Sequence, residues 1–173
     1  LKIKNSPKLS NFVLLGVFLG LSFLSKYAAI YFFISLIFLI IFDKETKKVF
    51  IKNIFFSLIS IVSCIIVILP NIIWNIQNKW ITFSHTSENA SLSSMNINFI
   101  QGIEFFLIQG LMISPILFFL FFLTIKKIRK NFETIFLLSF SLPIFSIVII
   151  ESIIVRANAN WAAVALIPFF ILI

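Results

Sequence analysis

Acidic side chains are scarce in this chain: six Asp and Glu among 173 residues, with one histidine and one cysteine. That scarcity excludes several chemistries at once. His85 has no second His or Cys near it, so no metal site is expected. No loop carries a pair of carboxylates, and the four glycines form neither a phosphate-cradling loop nor a nucleophile elbow. Cys64 can make no intrachain disulfide and reads as a small apolar residue within the run 61–69.

Charge is also low, at 12% of residues against 61% hydrophobic, and the mean hydropathy is +1.14. A soluble domain is roughly half apolar and a quarter charged, so these values describe an integral membrane protein. At about 20 residues per crossing the chain has room for about six or seven spans and no sizeable soluble domain. The net charge of +8 raises nucleic acid as a partner. Its lysines and arginines, however, stand in short groups between apolar runs, the pattern of loop charge at a membrane face, so no nucleic acid is expected. There is no internal repeat of fixed period.

The all-α reading places helices at about 9–25, 27–42, 53–74, 99–125, 132–150 and 161–173 in one transmembrane bundle, with a polar loop over 75–98. Gly16 and Gly20 stand at the small-xxx-small spacing that lets membrane helices approach closely. From Phe12 to Phe42 the apolar stretch measures about 46 Å as helix, long for one crossing and short for two. Two short helices meeting near Lys26 bring Lys2, Lys4 and Lys8 to the same side as Lys44, Lys47, Lys48 and Lys52, as the positive-inside rule favours. Ser25-Lys26-Tyr27-Ala28 nonetheless contains no Gly, Pro or Asn to make that turn.

With this topology eleven of the fourteen basic residues fall inside, and Lys26, Lys79 and Arg156 fall outside with Trp74, Trp80 and Trp161. The chain starts at Leu1 rather than Met, and its last apolar run, 161–173, spans only about 20 Å. Both features read as a piece of a longer multi-pass protein.

Lys26 is the sharpest single signal, since an ammonium recessed at the end of a short apolar helix is costly unless it has a task. The competing reading is a lysine that snorkels to the headgroups. Arg156 is a second outward cation, followed by two amides and an indole; a guanidinium suits a phosphate, and an amide or indole suits a sugar. Glu104, just inside its helix end, is a candidate to pair with either cation or to line a cavity. His85 is chemically able to act as acid or base, though a loop histidine without that work is commoner. The tryptophans are most simply interface anchors, with sugar stacking as a second role.

Three segments carry a resemblance. Gly20-Leu21-Ser22-Phe23-Leu24-Ser25-Lys26-Tyr27 resembles the Gly-Leu-x-x-Leu-(Ser/Thr)-Lys-Tyr segment of bacterial membrane glycosyltransferases of family 39. These group with the dolichyl-phosphate-mannose protein mannosyltransferases and the 4-amino-4-deoxy-L-arabinose transferases. Pro70 to His85 is similar to their Pro-x-x-x-Trp-Asn-x-x-(His/Asn)-x-(Trp/Phe)-(Ile/Val)-(Thr/Ser)-Phe segment, and Arg156 to Ala163 to their Arg-x-x-x-Asn-Trp-Ala-Ala. The resemblance implies a GT-C fold in the inner (plasma) membrane. It further implies transfer of a sugar from a polyprenyl-phosphate carrier to a lipid, glycan or protein acceptor at the outer face, with no cofactor. By the same match Lys26, Tyr27, Trp74, Asn75, Trp80, Arg156, Asn160 and Trp161 are candidates for donor contacts, while the catalytic acid residue is expected upstream of Leu1.

Two other classes compete. A transporter or flippase segment for an anionic lipid or sugar phosphate predicts interrupted helices with sites near the bilayer midplane. A non-catalytic assembly subunit predicts that Lys26 and Arg156 are dispensable.

Overall fold

A computed structural model describes residues 2–89, 97–124, 131–155 and 157–172 of the chain. Among these residues the regular structure is entirely helical, with no strand. In chain order the α-helices are α1 (Lys2–Asn5), α2 (Leu9–Ser25), α3 (Ile30–Phe42), α4 (Lys44–Lys52), α5 (Ile54–Gln77) and α6 (Ile81–Asn89). They continue with α7 (Phe99–Ile113), α8 (Pro115–Thr124), α9 (Phe132–Ser139), α10 (Leu142–Ile154) and α11 (Ala163–Leu172). Short 3-10 turns at Tyr27–Ala29 and Ala159–Ala162 lead into α3 and α11.

The helices are inside out by the standard of a soluble protein. On α5 the buried residues are Ser60, Cys64 and Asn75, while Ile54, Phe55, Leu58, Ile65, Ile66 and Ile73 stand exposed. Small and polar side chains face the neighbouring helix and large apolar ones face outward, the arrangement expected where lipid is the solvent. By length and composition, Ile54–Gln77 and Phe132–Ile154 can each cross a membrane. Leu9–Ser25, Phe99–Met112 and Ala159–Leu172 are shorter apolar helices. Helix α4 bends 106° away from the apolar segment Tyr27–Phe42, and with four lysines in nine residues we read it as a surface helix.

The backbone breaks at Lys26 and Asp43 fall where the expected helices 9–25 and 27–42 end, whereas the break at Ser114 falls inside an expected helix. Ser114 adopts φ 97° just before Pro115, whose ring disfavours helical geometry in the residue before it. This divides the expected helix 99–125 into α7 and α8. The expected helix 132–150 is interrupted at Phe140 and Ser141 and continues to Ile154, which puts Glu151 within it. Pro143 lies in the first turn of α10, where its missing N–H leaves no helical bond unmade.

The expected polar loop over 75–98 is also largely helical in its described part. Helix α5 runs through Pro70 to Gln77, and α6 covers Ile81–Asn89. The amides that suggested a loop instead bond back along the helix: Asn75 Nδ2 donates to Asn71 O at 3.0 Å and Asn78 Nδ2 to Trp74 O at 2.8 Å.

The chain divides into two compact units, Leu1–Phe33 with Leu39–Thr82 and Ile34–Phe38 with Phe83–Ile173. In the first, α2 packs along α5. A Cβ placed on Gly16 would lie 2.1 Å from Ser60 O, and one on Gly20 2.7 Å from Val67 Cβ, so the two backbones touch where only glycine fits. At one end of this pair Asp43 Oδ2 accepts from Lys4 Nζ at 3.0 Å, Thr46 N at 2.8 Å and Thr46 Oγ1 at 2.6 Å. The bonds cap α4 and tie it to α1, so α2 and α3 together leave from and return to one end of the unit. Burial raises the Asp43 carboxyl, but the Thr46 bonds and the Lys4 ammonium outweigh it and hold the carboxyl below its ordinary value.

In the second unit α7 packs on α10, with Gly102 against the Ile153 side chain. Leu166 and Phe169 of α11 form a buried cluster with Leu117, Phe118, Phe145 and Leu172.

Candidate functional site

Helix α2 ends at Lys26, whose N–H still reaches Ser22 O at 2.9 Å while its backbone swings to φ −158°, ψ 129°. Ala29 N then donates to Lys26 O at 3.0 Å, closing the 3-10 turn that starts α3. The chain reverses here without Gly, Pro or Asn because extended geometry is open to any residue. The Lys26 side chain is exposed and forms no ion pair among the described residues.

Tyr27, the next residue, sits above the Gly16–Gly20 seam. Its ring packs on Phe23 with centroids 5.6 Å apart, and its hydroxyl lies 3.1 Å from Thr82 Oγ1 and 3.4 Å from Asn71 Oδ1. Thr82 Oγ1 donates to Asn75 Oδ1, and Asn75 Nδ2 donates onward to Asn71 Oδ1 at 3.2 Å. Thr82 has one proton and gives it to Asn75, so the single Tyr27 hydroxyl proton is shared between two acceptors, Thr82 Oγ1 and Asn71 Oδ1. The four side chains close a ring of neutral hydrogen bonds around Asn75, which is 2% exposed.

What brings Thr82 back onto α5 is the turn after Gln77. Lys79 and Trp80 both adopt left-handed backbone, φ 53° and 57°, and Trp80 N donates to Asn75 O at 2.8 Å. Such geometry is uncommon for residues with side chains and costs about 1–2 kcal/mol each. The strain is tolerated where surrounding contacts enforce it, and here the ring through Thr82 supplies them. Trp74 precedes the turn and Trp80 lies in it, and they are 46% and 49% exposed.

The remaining candidates belong to the second unit. His85 is exposed, with Nδ1 3.9 Å from Glu88 Oε2, and Glu104 is exposed on α7. Asn160 is exposed and Trp161 half-buried in the 3-10 turn before α11. Arg156 and the basic group Lys126, Lys127, Arg129 and Lys130 lie outside the described residues. Ile153 and Ala159 are tied to α7 and its cap: Asn98 N donates to Ile153 O at 2.8 Å, and the fully buried Gln109 donates to Ala159 O at 2.9 Å.

The structure therefore joins Tyr27 to Asn75 through Thr82 and Asn71, and sets Lys26 beside Tyr27 in the chain. It adds Asn71, Thr82 and Gln109, which the sequence reading did not single out. Two asparagines four residues apart in an apolar helix, and a glutamine in the middle of another, were the available signals. Among the described residues no group of three or more His, Cys, Asp or Glu gathers as a metal site would.

Helices with apolar outer faces, a buried polar ring at one end of α2 and α5, and a cation with no ion pair among the described residues fit an all-α membrane protein. Comparison with known proteins carries this further. Residues 1–74 match the family model for dolichyl-phosphate-mannose-protein mannosyltransferase. The chain is similar to the lipid A galacturonosyltransferase RgtD of Rhizobium johnstonii, 28% identical over 160 residues, which covers 88% of this chain and 32% of the relative. It spans about a third of that protein's length. The resemblance to membrane glycosyltransferases of the GT-C type thus rests on both matches. No solved structure matches the chain.

Proposed function

We propose that this chain is part of a multi-pass glycosyltransferase of the inner membrane. It moves a sugar from a polyprenyl-phosphate carrier to an acceptor at the outer face. The observation that carries the reading is the Lys26 ammonium, which has no ion pair among the described residues and stands on a position matching the family motif, at the break between two apolar helices.

In such a transfer the acceptor oxygen bonds to the sugar's anomeric carbon as the bond from that carbon to the carrier phosphate breaks. The phosphate leaves with increased negative charge. A cation fixed where that charge develops lowers the barrier, and more so in a site with little water. Lys26 takes this role, with Arg156 as a second cation and Asn160 and Trp161 beside it for the sugar. Trp74 and Trp80 offer ring faces for a sugar or the isoprenoid chain. Of the acceptor classes, a lipid is favoured by the name of the matched relative, a lipid A galacturonosyltransferase. His85 and Glu104 remain candidates for acceptor contacts.

The test is Lys26→Ala in the full-length protein, assayed for transfer from polyprenyl-phosphate-linked sugar in membranes. Loss of one charged hydrogen-bond donor is expected to lower kcat/KM by about 10- to 100-fold. Unchanged transfer removes the reading. Cysteines at 26 and 156 are expected to label from the same, outer side; labelling from opposite sides separates the two cations and ends their joint role.

A further inference from the structure

We infer that Asn71, Asn75 and Thr82 are positioning residues that hold the Lys26 turn through Tyr27 and so preset the ammonium for a phosphate. This rests on the reading of Lys26 given above.

Asn75 is 2% exposed, and its oxygen and nitrogen are already engaged by Thr82 and Asn71, so its side chain has little to offer a substrate. The ring it anchors ends instead on Tyr27. With the Tyr27 ring held by Phe23 on one side and its hydroxyl by Thr82 and Asn71 on the other, the peptide that joins Tyr27 to Lys26 has little freedom. The direction of the Lys26 Cα–Cβ bond follows from that peptide.

The composition of the ring matters as much as its geometry. Every member is neutral, so it holds a lysine in place without supplying a counter-charge. A carboxylate in the same role would pair with the ammonium and compete with an anionic ligand. The strained backbone at Lys79 and Trp80 fits this account, because that turn is what returns Thr82 to Asn75.

The experiment uses the full-length protein reconstituted in nanodiscs, with undecaprenyl phosphate as probe and undecaprenol, which lacks the phosphate, as control. Thr82→Val and Asn71→Leu keep approximate shape and remove the polar atoms. Each is expected to weaken undecaprenyl phosphate binding about three- to tenfold and leave undecaprenol binding unchanged. Thr82→Ser, which keeps the hydroxyl, restores binding. In a Lys26→Ala background Thr82→Val has no further effect, since the residue acts through Lys26.

Wild-type affinity in Thr82→Val and Asn71→Leu, with Lys26→Ala impaired, overturns the positioning role and leaves the phosphate reading standing. Thr82→Val lowering affinity equally with and without Lys26 also overturns it, as the mark of a merely structural bond. Unchanged binding in Lys26→Ala alone overturns the underlying reading, and with it this one.

Discussion

The two ends of the α2–α5 pair are held by opposite means. At one end the Asp43 carboxylate gathers Lys4 and both donors of Thr46, a charged clasp that neutralises the lysine it holds. At the other, Tyr27, Asn71, Asn75 and Thr82 close a neutral ring, and Lys26 beside it has no ion pair among the described residues. A lysine whose work is structural can be neutralised in place. A lysine meant for an anionic ligand must be held by groups that leave its charge available.

The comparison breaks most severely if the seam between the ends is opened. Gly16→Val forces side-chain atoms into Ser60 O, where even a Cβ would stand at 2.1 Å. The expected loss is ~3 kcal/mol or more, read as a collapse of thermal stability in detergent. A Gly16→Val protein that melts like wild type removes the close packing on which both ends depend.

Next in size is Asp43→Asn, expected to cost about 1–3 kcal/mol through loss of the charged bonds to Lys4 and Thr46. The pH dependence sharpens it. The folded Asp43 carboxyl lies below its ordinary value, so its contribution is fully present above the unfolded-state value and is lost as pH falls through the folded one. Stability measured on acidification should therefore decline in the wild type and decline less in Asp43→Asn. No such step is expected from the neutral ring.

The smallest effect is expected at the strained turn. Lys79→Gly relieves left-handed backbone and should raise stability by about 0.5–1 kcal/mol, seen as a modest rise in melting temperature. A fall instead of a rise shows that the Lys79 side chain contributes more than its backbone costs.

Much of this was legible in the residues. Gly16 and Gly20 announced a close helix contact because their spacing puts both on one face of α2. Charge placement favoured a reversal at Lys26 even though no turn-forming residue stands there, since the lysine groups at 2–8 and 44–52 belong on one side. The helicity of 81–89 was not legible, because Asn and Ser read as loop formers until their side chains are seen bonding back to the helix. The breaks at Ser114 and at 140–141 do not show in the hydropathy, which is uniform there, but each stands beside a proline, Pro115 or Pro143, that the transporter reading takes as a helix break.

By itself the sequence determined the solvent and the all-helical class: a chain 61% hydrophobic and 12% charged must satisfy its backbone internally in lipid, and helices do so segment by segment. Only the tertiary structure decided which polar residues meet. Tyr27 reaches Asn71 and Thr82 across 44 and 55 positions, and such partners are set by how helices cross and where a strained turn points, neither of which local pattern encodes.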